Sequence, residues 1–552
     1  MVMMRMKVGE LLSINRGSFL KGAAILAAAG IASRVIGAFF RIVLAAILGD
    51  EGIGLYQYAY PIYSTLLVIS TAGIPVALSK IMAEKIAMQD YREAVRVFRI
   101  ALIILTISGL IIATGLVLGA RYTAVVLIGD AKAYYPIIAT APAIFFVTVM
   151  ASFRGFFQGR QNMAPTAASQ LIEQLVRVGF AIGMVFLLLP VGLEYAAAGA
   201  TSGAAAGGLA GLVLLALLYL MKRKDLYRQA SCQDGGNGDS FGRIAGRLFS
   251  LAVPVTIGGL VIPLITVIDL AVVPRQLQAA GFDLITARAL YGQLTGMAAS
   301  VVYFPNVVAL ALSISLVPAI SEAAAIRDRA MIIKRSNAAI KLTALFAIPA
   351  AAGLFLLAEP ITVLLFNNAE AGHALAYLSW SAIPLCLYVT TTGLIQGLGR
   401  PIIPAINMFY GGAVKTVAAW HLTAIPELNV GGAAIASVAG IGVAAALNLY
   451  HVARLTGWRF SFRELVFLPG AAAVIMGGTV WLVYRVITLN CTAFFSAGAL
   501  NGLAVIFSIG AGILLYGLIL VMFGSIRQDE LKYIPLIGGR LQVLLRKFGR
   551  KG

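Results

Sequence analysis

The chain has 552 residues, of which 60% are hydrophobic and only 12% are charged, about half the charged fraction of an ordinary soluble protein. A soluble fold of this length could not bury so much apolar surface, so the composition excludes a water-soluble protein and indicates an integral membrane protein. The net charge of +20 does not indicate a nucleic-acid partner, because the bases lie in short gaps between apolar runs and no RNA-binding motif occurs.

The N-terminal residues resemble a signal peptide, since several bases precede an apolar run over 22–33. The apolar character continues to Leu48, which is too long for a signal peptide, so we interpret this segment as the first membrane helix. Continuous runs long enough to cross a bilayer predict an all-α protein of about fourteen transmembrane helices. They cover 20–48, 56–83, 96–118, 134–158, 166–190, 196–221, 248–273, 289–319, 337–358, 373–398, 404–426, 431–454, 466–488 and 498–523.

The distribution of lysine and arginine predicts the orientation. With the N-terminus in the cytoplasm, the inside segments hold 32 of these bases and the outside loops only five. Positive loops stay on the cytoplasmic side, so we expect a multi-pass protein of the bacterial cell membrane with both termini in the cytoplasm.

The predicted helices divide into two related halves. We expect a six-helix lobe over 1–221, a flexible cytoplasmic linker over 222–247, a second six-helix lobe over 248–455, and two additional helices with a basic tail over 456–552. Gly-x-x-Gln-Gly occurs at 155–159 and again at 393–397, and the same offset of 238 residues maps Arg177 onto Lys415. A weaker similarity pairs 74–80 with 317–322. These matches predict parallel repeats.

Four cations lie at predicted bilayer depth, where a charge needs a partner or a cavity. Arg34 and Arg41 are two turns apart on helix one, while Arg177 and Lys415 lie near the middle of helices five and eleven. A polar stripe on helix five is formed by Gln170, Glu173, Gln174 and Arg177.

Two interpretations of these charges are open. In the first, the charges only pair with one another: Glu173 neutralises Arg177, and Asp269 forms an ion pair with Arg41 or Arg275 or couples transport to an ion. In the second, the positive surplus lines a cavity for an anionic substrate, which we favour because the deep cations outnumber the deep acids.

No cofactor or metal is predicted. Cys232, Cys386 and Cys491 form no CxxC pair, and the three histidines are scattered.

Three segments resemble the MurJ-like lipid flippases of the MOP exporter superfamily, in the branch of stage V sporulation protein B and polysaccharide biosynthesis proteins. They are 18–84, 153–178 and, more weakly, 304–321. Arg34 matches the family's helix-one arginine within Ser33-Arg34-Val35-Ile36-Gly37, and Arg41 matches the second arginine of that helix. The family also has an arginine before Phe-Pro of helix eight, but 298–303 contain no base, so Lys415 is a candidate substitute.

The resemblance implies alternating-access flipping of undecaprenyl-pyrophosphate-linked saccharides, used in peptidoglycan or polysaccharide synthesis for the cell wall or during sporulation. It also implies two six-helix lobes around a central cavity, with two additional helices. We expect a monomer in the bilayer, with cell-wall synthesis enzymes as partners. Two alternatives stay open. An ion-coupled exporter of small molecules in the same superfamily would need membrane carboxylates in each half. A membrane glycosyl-polymer enzyme would need catalytic groups in a large outside loop, and the loops are short.

Overall fold

A computed structural model of the protein describes residues 2–231, 239–458, 460–490 and 496–522. Cys232 and Cys491 lie outside these ranges, as do most of the predicted linker's Gly-rich part and the basic tail. The described residues are almost entirely helical and contain no β-strand. The eighteen α-helices are α1 Val2–Thr71, α2 Ile74–Ala87, α3 Tyr91–Tyr122, α4 Tyr134–Ala139, α5 Ala141–Gly159, α6 Ala164–Leu188, α7 Leu193–Ser231, α8 Phe241–Ala279, α9 Leu284–Gly292, α10 Ala299–Ala325, α11 Arg329–Leu356, α12 Ala358–Phe366, α13 Ala371–Ser379, α14 Ala382–Gly397, α15 Ile402–Leu422, α16 Val430–Thr456, α17 Leu468–Asn490 and α18 Ala497–Met522.

Twelve helical segments of the described chain are long and apolar enough to cross a membrane, or thirteen when the bent pair α13–α14 counts as one span. The first of them runs over Ile25–Ala87, 63 residues. At 1.5 Å per residue it is about 95 Å long, whereas one crossing needs about 30 Å. It contains both of the first two predicted spans and is interrupted at Gly49, which has non-helical dihedral angles. The all-α membrane fold is confirmed, and the count of fourteen is approximate.

The outer faces of the helices are apolar, as lipid requires. On α3, the side chains of Ile103, Ile107, Leu110 and Ile111 are 48–62% exposed, although they belong to one of the most hydrophobic segments of the chain. Large exposed aliphatic side chains of this kind are unfavourable in water and favourable against acyl chains. The structure is therefore that of a multi-pass membrane protein.

The chain forms two compact units. The first comprises residues 1–48 and 55–270, and the second comprises 49–54 and 271–552. In the first unit the core joins α2, α3, α5, α7 and α8 around buried residues such as Leu78, Phe98 and Leu248. In the second the main core joins α10, α11, α14 and α16. The predicted second lobe begins at residue 248, but the first unit of the structure extends to Leu270. The first unit is longer because the first half of α8 packs into its core.

The same local structures recur in the two units at an offset of 238 residues. Asp90 caps α3 by accepting from the backbone N–H of Glu93, and Asp328 caps α11 by accepting from that of Met331. Left-handed backbone conformations precede or end helices at 89 and 327, at 129 and 367, and at 161 and 399. Helix contacts also correspond: an added Cβ at Gly155 would meet Pro75, and one at Gly393 would meet Ser313. These pairs share one constant offset, which a chance resemblance of short motifs does not explain.

Candidate functional site

The polar stripe of α6 forms a bridged set of charges in the first unit. Glu173 lies between two arginines: one carboxylate oxygen accepts from Arg177 at 2.7 Å and the other accepts from Arg154 at 2.8 Å. The Nε of Arg154 also donates to the hydroxyl of Ser169 at 3.0 Å. The predicted pairing of Glu173 with Arg177 is present, but the carboxylate is shared, so the set retains one positive charge more than it has negative charges.

Glycines of α7 bring that helix directly against the backbone of the charged part of α6. An added Cβ at Gly207 would lie 2.4 Å from the carbonyl oxygen of Glu173, and one at Gly203 would lie 2.6 Å from that of Arg177. No side chain fits in such a space, so only glycine permits this approach. The backbone of Glu173 and Arg177 is therefore held directly against α7.

The N-terminal half of α1 packs along the other side of the stripe. The hydroxyl of Ser33 donates to the backbone carbonyl of Gln170 at 3.4 Å, and an added Cβ at Gly37 would lie 3.1 Å from the Nε2 of Gln174. Arg34 follows Ser33 and is exposed. Within the described part of the chain, Arg34 makes neither a hydrogen bond nor an ion pair. Both Gln170 and Gln174 thus lie where α1 meets α6.

Three tyrosines from the later part of α1 complete this region. The guanidinium of Arg41 lies over the ring of Tyr60, 4.9 Å from its centroid. Tyr63 is buried beside the guanidinium of Arg177, and Tyr56 is close enough to interact electrostatically with both Arg41 and Arg177. Because 56, 60 and 63 are spaced by four and three residues, the tyrosines share one helix face. We call these tyrosines, with Arg41, Arg154, Glu173 and Arg177, the arginine–tyrosine cluster.

The cluster has three guanidinium groups and a single carboxylate. Its central ion pairs are only partly accessible, with 14–20% of each side chain exposed. In addition, the Nε of Arg177 and the Oε1 of Gln170 are buried and make no hydrogen bond. Buried polar atoms are normally satisfied, so an unpaired donor beside a positive surplus indicates a site for an acceptor that carries negative charge.

Two further predicted charges are Asp269 and Lys415. Asp269 is half-buried in α8 of the first unit and has interactions of its own. Lys415 belongs to α15 in the second unit, where an added Cβ at Gly440 would lie 2.5 Å from its Cβ. The relation of Lys415 to Gly440 resembles that of Arg177 to the glycines of α7.

Sequence reasoning did not select Arg154 or the three tyrosines. Arg154 lies about as far before the turn at 160–163 as Ser169 lies after it. When α5 and α6 pack antiparallel, Arg154 therefore lies beside Ser169, which is one helical turn from Glu173. That symmetry was available in the sequence. The tyrosine stripe was also visible, but tyrosines at helical spacing are more often core residues than part of a site, and nothing local distinguishes the two.

One charged residue assigned to an outside loop is in fact buried. Arg288 is only 2% exposed and forms an ion pair with Glu51 in the second unit. Beside this pair, Gln293 donates to Asp50 at 2.9 Å and Asn368 donates to the same carboxylate at 3.0 Å. Arg288 therefore contributes to packing of the second unit and does not belong to a solvated loop.

No group of His, Cys, Asp and Glu suited to a metal ion occurs among the described residues. Cys386 is a buried free thiol in α14.

Comparison with known proteins identifies the family. The family model described as polysaccharide biosynthesis protein matches residues 19–324. Stage V sporulation protein B of Bacillus subtilis (strain 168) is 30% identical over 521 residues, which cover 94% of this chain and 98% of that protein. Lipid II flippase MurJ of the same organism is 28% identical over 494 residues, covering 85% and 89%.

A solved structure agrees with the fold. Lipid II flippase MurJ in an inward closed conformation superposes with a TM-score of 0.63 at 16% identity, over 91% of this chain and 98% of that one. At such low identity the likeness concerns the fold alone. The chain therefore belongs to the polysaccharide biosynthesis protein family and has the fold of the MurJ-like proteins of the MOP superfamily.

Proposed function

We propose that this protein is a flippase that moves an anionic, undecaprenyl-pyrophosphate-linked cell-wall precursor from the cytoplasmic to the outer leaflet. The cargo would be lipid II-like or a polysaccharide repeat unit, and transport would proceed by alternating access. The single observation that carries the proposal is the arginine–tyrosine cluster, in which three guanidinium groups accompany one carboxylate. Arg34, two turns before Arg41 on α1, is proposed as a further cation for the substrate.

The chemistry of the cluster suits a pyrophosphate. Ionised groups at membrane depth are costly, and a surplus of one sign is least costly when a ligand of the opposite sign binds there. Arginine presents a planar fork of N–H donors that matches phosphate oxygens, and a pyrophosphate offers several such oxygens at once. Tyr60, which is half-buried, adds a hydroxyl and a ring face of the kind that contact sugars.

The relatives support the same class of cargo. One relative is named a lipid II flippase and another a sporulation protein. Since the chain spans nearly the full length of both, the proposal applies to the whole protein. The excess of bases in the predicted inside loops further supports cytoplasmic termini. In this proposal Lys415 of the second unit is an additional cation for the substrate.

The test is depletion of the protein in its own bacterium, followed by extraction of undecaprenyl-linked lipids. We expect one lipid-linked saccharide to accumulate, accessible only from the cytoplasmic side of membrane vesicles. Re-expression should remove the accumulated lipid. Unchanged levels and sidedness of every undecaprenyl-pyrophosphate-linked lipid after complete depletion would contradict the proposal.

A further inference from the structure

The two arginines that Glu173 bridges differ in their hydrogen bonding. Arg154 is held at two points, because its Nε donates to Ser169 and a terminal nitrogen donates to Glu173. Arg177 donates one terminal nitrogen to Glu173, but its Nε is buried and makes no hydrogen bond. Arg177 therefore retains capacity for another acceptor.

The backbone supports this asymmetry. The α7 glycines hold α6 so closely that Glu173 and Arg177 cannot separate from each other by movement of the helix backbone. Any new partner of Arg177 must be gained by rotation of side chains. The carboxylate of Glu173 can make that rotation without becoming unpaired, since Arg154 remains within 2.8 Å of it. A carboxylate and a phosphate also compete for the same face of a guanidinium group.

We infer that Glu173 is an internal counter-anion that a phosphate of the substrate displaces from Arg177, while Arg154 is a positioning residue that retains the displaced carboxylate. The inference rests on the proposed function and assigns a role to Arg154 in it. Before substrate arrives, Glu173 neutralises Arg177 and keeps its side chain extended. After arrival, Arg177 pairs with phosphate and Glu173 pairs with Arg154 alone. On release the exchange reverses, so Arg177 is never left without a negative partner.

If this exchange occurs, substitutions of Glu173 and of Arg154 should change the affinity for phosphate in opposite directions. Glu173→Gln removes the competing anion and should tighten phosphate binding. Arg154→Gln leaves the Glu173 carboxylate paired with Arg177 alone and should weaken phosphate binding. The double variant, Glu173→Gln with Arg154→Gln, restores the original net charge and should bind nearly as the wild type does. A purely structural bridge predicts instead that each single change lowers stability and that neither one tightens binding.

The experiment measures binding of undecaprenyl pyrophosphate to the purified full-length protein in lipid nanodiscs, with undecaprenol as the uncharged comparison. We expect Kd to fall about tenfold for Glu173→Gln and to rise about tenfold for Arg154→Gln, the size of one charge-assisted contact. Arg154→Lys keeps the charge and should stay within about threefold of wild type. Thermal unfolding of every variant in the same nanodiscs measures folding separately.

Failure to tighten binding in a folded Glu173→Gln variant would overturn the inference. If that variant does not fold, Arg154→Gln and Arg154→Lys still decide the matter, since equal Kd values for the two would also overturn it. Failure of the proposed function gives a different result: the wild-type protein would then bind undecaprenyl pyrophosphate no better than undecaprenol. Pyrophosphate-dependent binding by the wild type without the opposite shifts would leave the function intact and remove only the exchange.

Discussion

At the scale of single residues, the burial of a charge determines what it does. Arg34 is exposed in the first unit, whereas Arg288 is enclosed in the second unit with Glu51. A guanidinium that is reachable can exchange partners, but one that is 2% exposed depends on the partner it has. We propose that arginine serves substrate binding in the first unit, while Arg288 serves packing in the second.

Arg34, which is exposed, and Arg41, which is half-buried, should be required for transport and not for folding. We predict that Arg34→Ala and Arg41→Ala abolish flipping of a fluorescent undecaprenyl-pyrophosphate-linked saccharide in proteoliposomes, while membrane abundance stays normal. Lysine at either position should retain part of the activity, because the charge persists without the planar fork. Arg96→Ala is the control, since Arg96 is an exposed base of α3 outside the cluster. Normal flipping by a stable double alanine variant would rule out the cation mechanism.

The buried pair predicts a loss of stability. Glu51→Gln leaves the guanidinium of Arg288 without its carboxylate and should lower the free energy of unfolding by about 3 kcal/mol. Arg288→Gln should cost less in electrostatic terms, because 31% of the Glu51 side chain can still reach solvent. Chemical unfolding in detergent measures both. The double variant should cost less than the sum of the single changes, and strict additivity would show that the two residues do not interact.

At the scale of elements, close helix packing is what fixes the charged stripe in place. The glycines of α7 contact the backbone of α6 at the level of Glu173 and Arg177. In the second unit, Gly411 and Gly440 bring α15 and α16 together at the level of Lys415. Small residues allow helices in lipid to approach closely and gain dispersion contacts. Each unit therefore uses a glycine interface to support a cationic position.

A methyl group at this interface should be harmful. We predict that Gly207→Ala pushes α7 from α6, with a loss of about 1–3 kcal/mol in stability and a larger fractional loss of transport. Gly183→Ala is the matched control, because Gly183 is in α6 with nothing within 4 Å of an added Cβ. The control should be neutral or slightly stabilising, as alanine favours helices. Equal unfolding temperatures for the two variants would show that the interface tolerates the methyl group.

We also propose that the two lobes are parallel repeats. The constant offset of 238 residues supports this, because it applies to helix caps, left-handed turns and helix contacts together. An experimental structure tests it by superposition of 18–221 on 248–454. Arg177 and Lys415 should then occupy corresponding positions on α6 and α15. Superposed coordinates that place them on different helix faces would contradict the repeat.

At the scale of the whole molecule, the protein is a multi-pass membrane protein with a MurJ-like fold. Its orientation is a prediction from loop charge. Single cysteines introduced at Asp234 and Leu428, in a background without the three native cysteines, should react with a membrane-impermeant maleimide from opposite sides. We expect position 234 to be labelled only in inverted vesicles and position 428 only in intact cells. Labelling of both from one side would show that the number of crossings between them is wrong.

Much of the fold could be predicted from the sequence because it depends on local patterns. The predicted runs coincide largely with helical segments of the described chain, since a backbone in lipid must satisfy its hydrogen bonds within the segment. Several of them, such as 56–83 and 373–398, cross a break between two helices. The recurrence of Gly-x-x-Gln-Gly likewise indicated corresponding turns, because turn geometry is set by a few adjacent residues. The polar stripe of α6 followed from helical periodicity alone.

Other features depend on contacts between distant residues, which no local pattern specifies. Hydropathy separates membrane helices from loops, but it does not say which helices pack together or how deeply a charge is enclosed. Only the tertiary structure showed that Arg154 shares Glu173 with Arg177, that Arg288 pairs with Glu51, and that residues 49–54 pack into the second unit. The sequence by itself determined that cations occur within the apolar runs, and the packing of helices decided which of them have partners within the protein.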